Sequence, residues 1–393
     1  MAMTSRERLL CAMAFEPVDR VPLLLRFWTM EAEEDQIPLD WRDEVARAEA
    51  TLALGLDDTI MLDPPLSYAQ AYLPEALDDV TSTTGLLPPA PGESHPRLTR
   101  AYETPDGTLQ MTVALTGDWP YGHDLNLFDD HNIPRLTEPL VKTVDDLSKL
   151  QHLLGRPSAA QVDAWRGYAA DLRGHANRLG VVLDGGWVAL GDMAMWLCGM
   201  ERMLYAQMDE PAFVEAVLDV LHAWEMMRLA YLLEDGVDVI VHGAWYETTD
   251  FWTPRTYRRF LKPRLMEEIE TVHQAGAKFR YILTKGWRPY IPDLIEMGID
   301  CLTGVDPVQD NIDLAEVKAT LGRHVCLMGG LNAAVMLDHW SDAEIEHAVD
   351  EAIAILAPGG GYIGYPVEAV YDTTDWRKVE VLLARWRRDS QVE

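Results

Sequence analysis

Beyond residue 237 the hydrophobic and polar positions fall into a regular rhythm. Short runs rich in β-branched and aromatic residues, each ending in a polar residue beside Gly or Pro, alternate with stretches whose apolar residues recur every three or four positions. The pattern predicts strands at 237–242, 278–284, 299–303, 324–328 and 361–365. Between and after them it predicts helices at 254–275, 289–297, 313–321, 341–357 and 375–388. Strands separated by helices build a parallel sheet, because a parallel neighbour needs a crossover of roughly a dozen residues.

The same reading extends upstream. Thr4 or Ser5 caps a helix, 16–20 forms a turn, and 21–26 makes a first strand with Arg26 near its end. A helix at 41–54 leads into a strand at 59–63, stopped by Pro64 and Pro65. Residues 81–96, rich in Thr, Pro and Gly, are expected as an irregular loop, and 98–104 and 108–115 alternate around Pro105-Asp106-Gly107 as a hairpin. Helices follow at 144–152, 159–178, 193–205 and 211–234, with a strand at 180–184 running into Gly185-Gly186-Trp187. No G-x-G-x-x-G follows the first strand, which turns the alternation toward a (β/α)8 barrel and away from a dinucleotide-binding sheet. The expected fold is an α/β chain, a (β/α)8 TIM barrel over 1–393 as one domain, with an inserted loop and β-hairpin at about 80–135.

Charge narrows the partners. A net charge of −31 argues against nucleic acid and anionic membrane surfaces, which need Lys and Arg gathered on one face. An anionic substrate stays open if a few Arg are focused in a pocket. No apolar run is long enough to span a bilayer, and the start leads into an amphipathic helix, so a soluble, cytoplasmic protein is expected. Cys11, Cys198, Cys301 and Cys326 lack C-x-x-C spacing and read as reduced thiols.

In a barrel, residues at the carboxyl ends of strands converge on one mouth. His242, Lys285 and Asp306 end successive predicted strands, and Glu247 follows His242 in the same loop. His242 suits an acid, a base or a metal ligand, with Glu247 to orient it or share a metal. Lys285 suits an anion, and Asp306, before Pro307, suits either the pocket or a turn cap. Those four are the catalytic candidates. If a metal is held, His242, Glu247 and Asp306 are its ligands; no thiolate zinc site is expected, since no Cys at a strand end has a His two residues away. Arg26, Asp63, Tyr365 and Glu368 are substrate-binding candidates at other strand ends, and Trp28, Trp187, Trp245 and Trp287 suit a small, planar aromatic or apolar substrate. His123 and Asp124 sit where the insertion would close over the pocket.

Four stretches carry a family resemblance: Thr4-Ser-Arg-Glu-Arg-Leu-Leu with Pro17-Val-Asp-Arg-Val-Pro22, then Thr253-Pro-Arg-Thr-Tyr-Arg-Arg-Phe-Leu-Lys-Pro263, Ile291-Pro-Asp-Leu-Ile-Glu-Met-Gly298 and Leu327-Met-Gly-Gly330. In this order they resemble the uroporphyrinogen decarboxylase superfamily, which includes methyltransferases working with corrinoid proteins or thiol coenzymes. The resemblance implies a (β/α)8 barrel, a pocket at the carboxyl ends of the strands, and a homodimer. It also implies departures. Zinc-dependent thiol methyltransferases of the superfamily carry His-x-Cys and a later Cys, where this chain reads Ile282-Leu-Thr-Lys285 and Gly364-Tyr365-Pro-Val-Glu368. The decarboxylases carry paired arginines and a late His in a Gly-rich turn, where this chain keeps Arg26 and has no His after Gly359-Gly-Gly361. The expected function is methyl transfer: demethylation of a small methoxylated or methylated compound, with a corrinoid protein as acceptor and no tightly bound cofactor. The alternatives are a cofactor-free decarboxylase of a carboxylated ring and a non-catalytic ligand-binding barrel.

Overall fold

The computed structural model describes residues 2–30, 34–68 and 71–390, with the backbone only at Tyr68, Ala71, Trp187 and Val188. Seven parallel strands, Thr59–Leu62, Val182–Val188, Val239–Gly243, Lys278–Ile282, Cys301–Val305, Cys326–Asn332 and Tyr362–Val367, pair side by side in chain order. Helices fill the crossovers, and the sheet curls into the expected TIM barrel.

The eighth position is held by residues 21–25, with fewer bonds than a strand makes. Leu24 N–H donates to Gly364 O at 3.0 Å and Gly364 N–H to Pro22 O at 2.8 Å, leaving a single bridge between Leu23 and Gly364. The predicted strand 21–26 is therefore cut short. Pro22 has no N–H to give, and Leu23 N–H is taken at 3.3 Å by the Asp57 carboxylate. On the other side, Asp57 N–H reaches Leu23 O, but no backbone hydrogen bond joins residues 24–29 to 59–63 among the described residues. The exposed edge of Thr59–Leu62 is capped by the preceding helix, Glu44–Ala53, instead: Arg47 donates to Thr59 O at 2.7 Å and Met61 N–H donates to Glu44 Oε2 at 3.0 Å. These bonds satisfy backbone groups that would otherwise be orphaned at an open edge. The barrel wall thus has a seam.

Inside the barrel the lower layer is apolar. Val182, Val239, Cys301, Cys326 and Ile363, near the strand starts, meet Leu9, Ala12 and Met13 of the helix Ser5–Met13, which plugs that end. Its start is fixed by a capping box in which Thr4 and Glu7 satisfy each other's backbone N–H groups.

Three predicted elements differ in detail. The loop expected at 81–96 contains a strand, Thr81–Leu87, paired along its length with Arg97–Thr104; with Gly107–Ala114 and Leu136–Glu138 this makes a four-stranded antiparallel sheet where a hairpin was expected. Its Thr-rich sequence favours a pleated surface as much as a loop. The helix expected at 193–205 is two, Leu190–Cys198 and Met200–Asp209, broken at Gly199 with φ 81°. The helix expected at 254–275 contains a π-helical turn at Tyr257–Leu261 ahead of Pro263, which has no N–H for the α-helical ladder.

Candidate active site

The upper inward-facing layer carries the polar groups. Two residues beyond the apolar layer, the same strands present Asp184, Thr303, Met328 and Tyr365, and Lys278–Ile282 contributes Arg280. These side chains line a cavity of about 770 Å³ together with Arg26, Met61 and Asp63, and with Trp28 and Trp41 at its rim. The cavity also takes in Glu44, Arg47, Tyr168 and His175 from two helices outside the wall, so it extends through the seam.

Asp184 is fully buried and accepts from Arg280 Nη2 at 2.9 Å. Burial pushes the Asp184 pKa up, and the Arg280 charge opposes that rise. The Arg26 guanidinium lies 4.9 Å from the Trp28 ring centre and 5.9 Å from that of Trp245, within cation–π range. Tyr365 donates to the Glu368 backbone oxygen; burial raises its pKa to about 12, against the charges of Arg26 and Arg280. Asp63 is buried in the cavity wall, its backbone oxygen bonded by Trp165 Nε1 at 2.8 Å.

His242 and Glu247 meet, but outside this cavity. Their hydrogen bond runs from His242 Nε2 to Glu247 Oε1 at 3.1 Å, while Nδ1 reaches Glu268 Oε2 at 3.0 Å on the helix Lys262–Gln274. Val239 faces the barrel interior and Ile240 the helix layer, so His242 shares the outward face by the two-residue period of a strand. Burial opposes a charge on His242, yet Glu247 and Glu268 more than offset it and hold its pKa well above the ordinary value. It is thus an imidazolium donating from both nitrogens. Glu268 is also bonded by His222 at 3.3 Å; burial would raise its pKa, and the two histidines bring it below the usual range.

This network ties two loops together. Glu247 accepts from Gly191 N–H at 2.6 Å and from the Tyr281 hydroxyl. Asp192, in turn, accepts from Trp245 N–H at 2.9 Å and Tyr246 N–H at 2.7 Å. Burial pushes Asp192 well above the carboxylate range, and the Glu247 charge adds to the effect. The clamp holds Trp245, whose indole donates to Glu368 Oε1 at 2.7 Å beside Arg26.

The remaining candidates are dispersed. Lys285 pairs with Asp250 at 2.6 Å, both about half exposed, away from the cavity. Asp306 caps its own turn, accepting from Val308 and Gln309 N–H at 2.8 and 3.0 Å and from Asn332 at 2.7 Å. Trp287 is a core residue donating to Gly304 O at 3.3 Å. The Trp187 side chain lies outside the described residues. His123 and Asp124 are exposed, the latter paired with Arg100. Arg26, Asp63, Trp28 and Tyr365 therefore share one pocket, whereas His242, Glu247, Lys285 and Asp306 do not line it. Asp184 and Arg280 were not singled out from the sequence; a charged residue between Phe279 and Tyr281 in an otherwise apolar strand was the available signal for Arg280.

The residues do not suit thiolate-held zinc. Cys301 and Cys326 sit opposite each other in register in the apolar layer, and burial pushes the Cys326 thiol well above its usual pKa, with Cys301 adding to it. Among the described residues no three His, Cys, Asp or Glu converge as a ligand set.

A family model, uroporphyrinogen decarboxylase (URO-D), matches residues 101–388. The chain belongs to the uroporphyrinogen decarboxylase family. Membership in the URO-D family supports an enzyme of methyl-transfer or decarboxylase type. Among solved structures, this URO-D chain is similar over 98% of its length to 99% of a methyltransferase from Methanosarcina mazei, with a TM-score of 0.58 and 18% identity. A B12-independent methionine synthase from Shewanella sp. W3-18-1 aligns over 60% of this chain and 67% of its own, with a TM-score of 0.43 and 12% identity. The first likeness shows the shared fold. Among curated proteins none matches the sequence significantly. No helix among the described residues is long and apolar enough to cross a membrane.

Proposed function

We propose that this URO-D family member is a methyl-transferring enzyme that demethylates a small methylated or methoxylated compound, with a corrinoid protein as the methyl-accepting substrate. The observation that carries the reading is the ionic inventory of the cavity. Six acidic side chains, Asp43, Glu44, Asp58, Asp63, Asp171 and Asp184, line it against four guanidiniums, Arg26, Arg42, Arg47 and Arg280. Three of these are engaged by protein carboxylates: Arg42 by Asp35 at 3.0 Å, Arg47 by Asp58 at 2.7 Å and Arg280 by Asp184 at 2.9 Å. A tetrapyrrole bearing many carboxylates would meet net repulsion there. A small substrate with at most one negative charge fits, its apolar part against Met61, Met328 and Trp41.

Loss of a methyl group from oxygen leaves an alkoxide or phenolate. Asp63, in its protonated form, is the cavity carboxyl assigned to give it a proton, and Arg26 and Tyr365 stabilise the charge that develops. Decarboxylation is the second reading, favoured by Arg26 and Arg280 facing the same cavity. The test is a panel of methylated and carboxylated compounds incubated with reduced corrinoid protein. Methylated corrinoid, read from its absorbance, supports methyl transfer. Labelled CO₂ released without any corrinoid would replace it with the lyase reading.

A further inference from the structure

Arg280 is built into the wall in an unusual way. Its strand, Lys278–Ile282, is buried through most of its length, and Arg280 is 8% exposed. A guanidinium has five N–H donors in a planar fork. One of them bonds Asp184 Oδ2, Nε has no partner, and the guanidinium makes no other hydrogen bond among the described residues. Arg–carboxylate pairs are frequently bidentate, yet here Arg280 reaches a single Asp184 oxygen. A buried donor without a partner, as Nε is, is costly unless something completes it.

The surroundings say what completes it. Thr303, on the adjoining strand, donates to Met328 Sδ at 3.3 Å, and neither residue hydrogen-bonds Arg280. Arg26 and Tyr365 line the same cavity. Both arginine charges oppose the rise that burial gives the Tyr365 pKa.

We propose that Arg280, steadied by Asp184 and sharing the cavity with Arg26, is the anchor for a single substrate carboxylate, making the substrates small monocarboxylic acids that carry their methyl group at the far end. The carboxylate assignment stands on the cavity geometry; the methyl group rests on the function proposed above. A carboxylate matches the planar fork of a guanidinium, and a second carboxylate on the substrate would meet the acidic side chains that line the cavity.

The test is calorimetric titration, with no methyl acceptor present, of methoxyacetate and 4-methoxybenzoate against their amides. At least one acid should bind wild-type protein more tightly than its amide by about ten- to a hundredfold, the range for a hydrogen bond to a charged group. Arg280→Gln should erase the preference, Arg280→Lys should keep part of it, and Lys285→Ala, outside the cavity, should leave it intact. Equal binding of acid and amide, unaltered acid binding by Arg280→Gln, or no binding of either acid would each overturn the proposal. The wild-type comparison decides the matter even if the Arg280 variants fail to fold. A clear acid preference without methyl transfer from any compound would keep the carboxylate anchor and sink the proposed reaction. Methyl transfer from uncharged donors with no acid preference would do the opposite.

Discussion

His242→Ala should destabilise the protein strongly while leaving its chemistry per folded molecule nearly unchanged. The imidazolium lies between two buried carboxylates, at 3.1 Å from Glu247 and 3.0 Å from Glu268, with every partner at most 1% exposed. Removing it strips one hydrogen bond from each and leaves like charges facing a void. Breaking a buried charge network from one side costs about 3–5 kcal/mol, a factor of roughly 10² to 10⁴ in the folding equilibrium. Urea denaturation of both proteins measures the difference. The pH dependence follows from the folded-state values. His242 is raised, so its contribution is complete below the unfolded value of 6.5, declines above it, and is gone once pH passes the folded value. Glu268 is lowered, so its contribution is complete above 4.5 and is lost as pH falls through the folded value. The gap between wild type and variant should therefore be widest between these two limits. A loss under about 1 kcal/mol, the worth of an exposed pair such as Lys285 with Asp250, would refute the reasoning. So would a large fall in turnover per folded molecule.

Other substitutions probe the cavity and the wall. Asp63→Asn should lower kcat by about 10² to 10⁴ once a substrate is known, as expected for loss of a positioned acid, with melting temperature as the control. Arg26→Ala should act mainly on kcat, because Arg26 is assigned to the charge that develops as the methyl group leaves, and steady-state kinetics separate this from an effect on KM. Gly364→Ala should destabilise by about 1–3 kcal/mol or more, because the added Cβ would lie 2.1 Å from the buried Trp386 ring; the denaturation midpoint reports it. Glu44→Ala should speed amide exchange at Met61, whose N–H it caps, with little change at Ile240 inside the ladder.

The strand and helix alternation was legible because period and punctuation agree along the second half of the chain. The facing of individual side chains was not. Val239-Ile-Val-His-Gly243 is buried throughout, and a strand covered on both faces carries no alternation to reveal which residues look inward. Its terminal His therefore read as a mouth residue, although it belongs to the helix side. Arg26 and Asp63, each following a shorter segment whose end is marked by composition, line one cavity. Asp306 realised the turn-capping alternative that the following Pro307 suggested. Asp184 was obscured by the two glycines after it, which drew attention to Trp187 in the loop. The strand Thr81–Leu87 was hidden because its side chains are mostly solvent-exposed and no hydrophobic stripe marks it.

The seam has a consequence for how the ring is assembled. Residues 21–25 find no ladder with their neighbour in sequence, Thr59–Leu62, and are held chiefly by Gly364 and by the final helix. Val21 N–H donates to Ser390 O at 2.9 Å, and Trp386 Nε1 donates to Val21 O across 365 positions. Pairings so distant in sequence form slowly, because a long loop must close before any bond rewards it. During synthesis the first strand segment emerges early and must wait, unpaired, for nearly the whole chain. The helix Ser5–Met13, which packs on strands from both halves of the barrel, cannot seat until then either. Ring closure is thus reserved for a chain whose last helix has been made, and a nascent chain stalled before Trp386 would carry an open, curled sheet with its apolar floor uncovered.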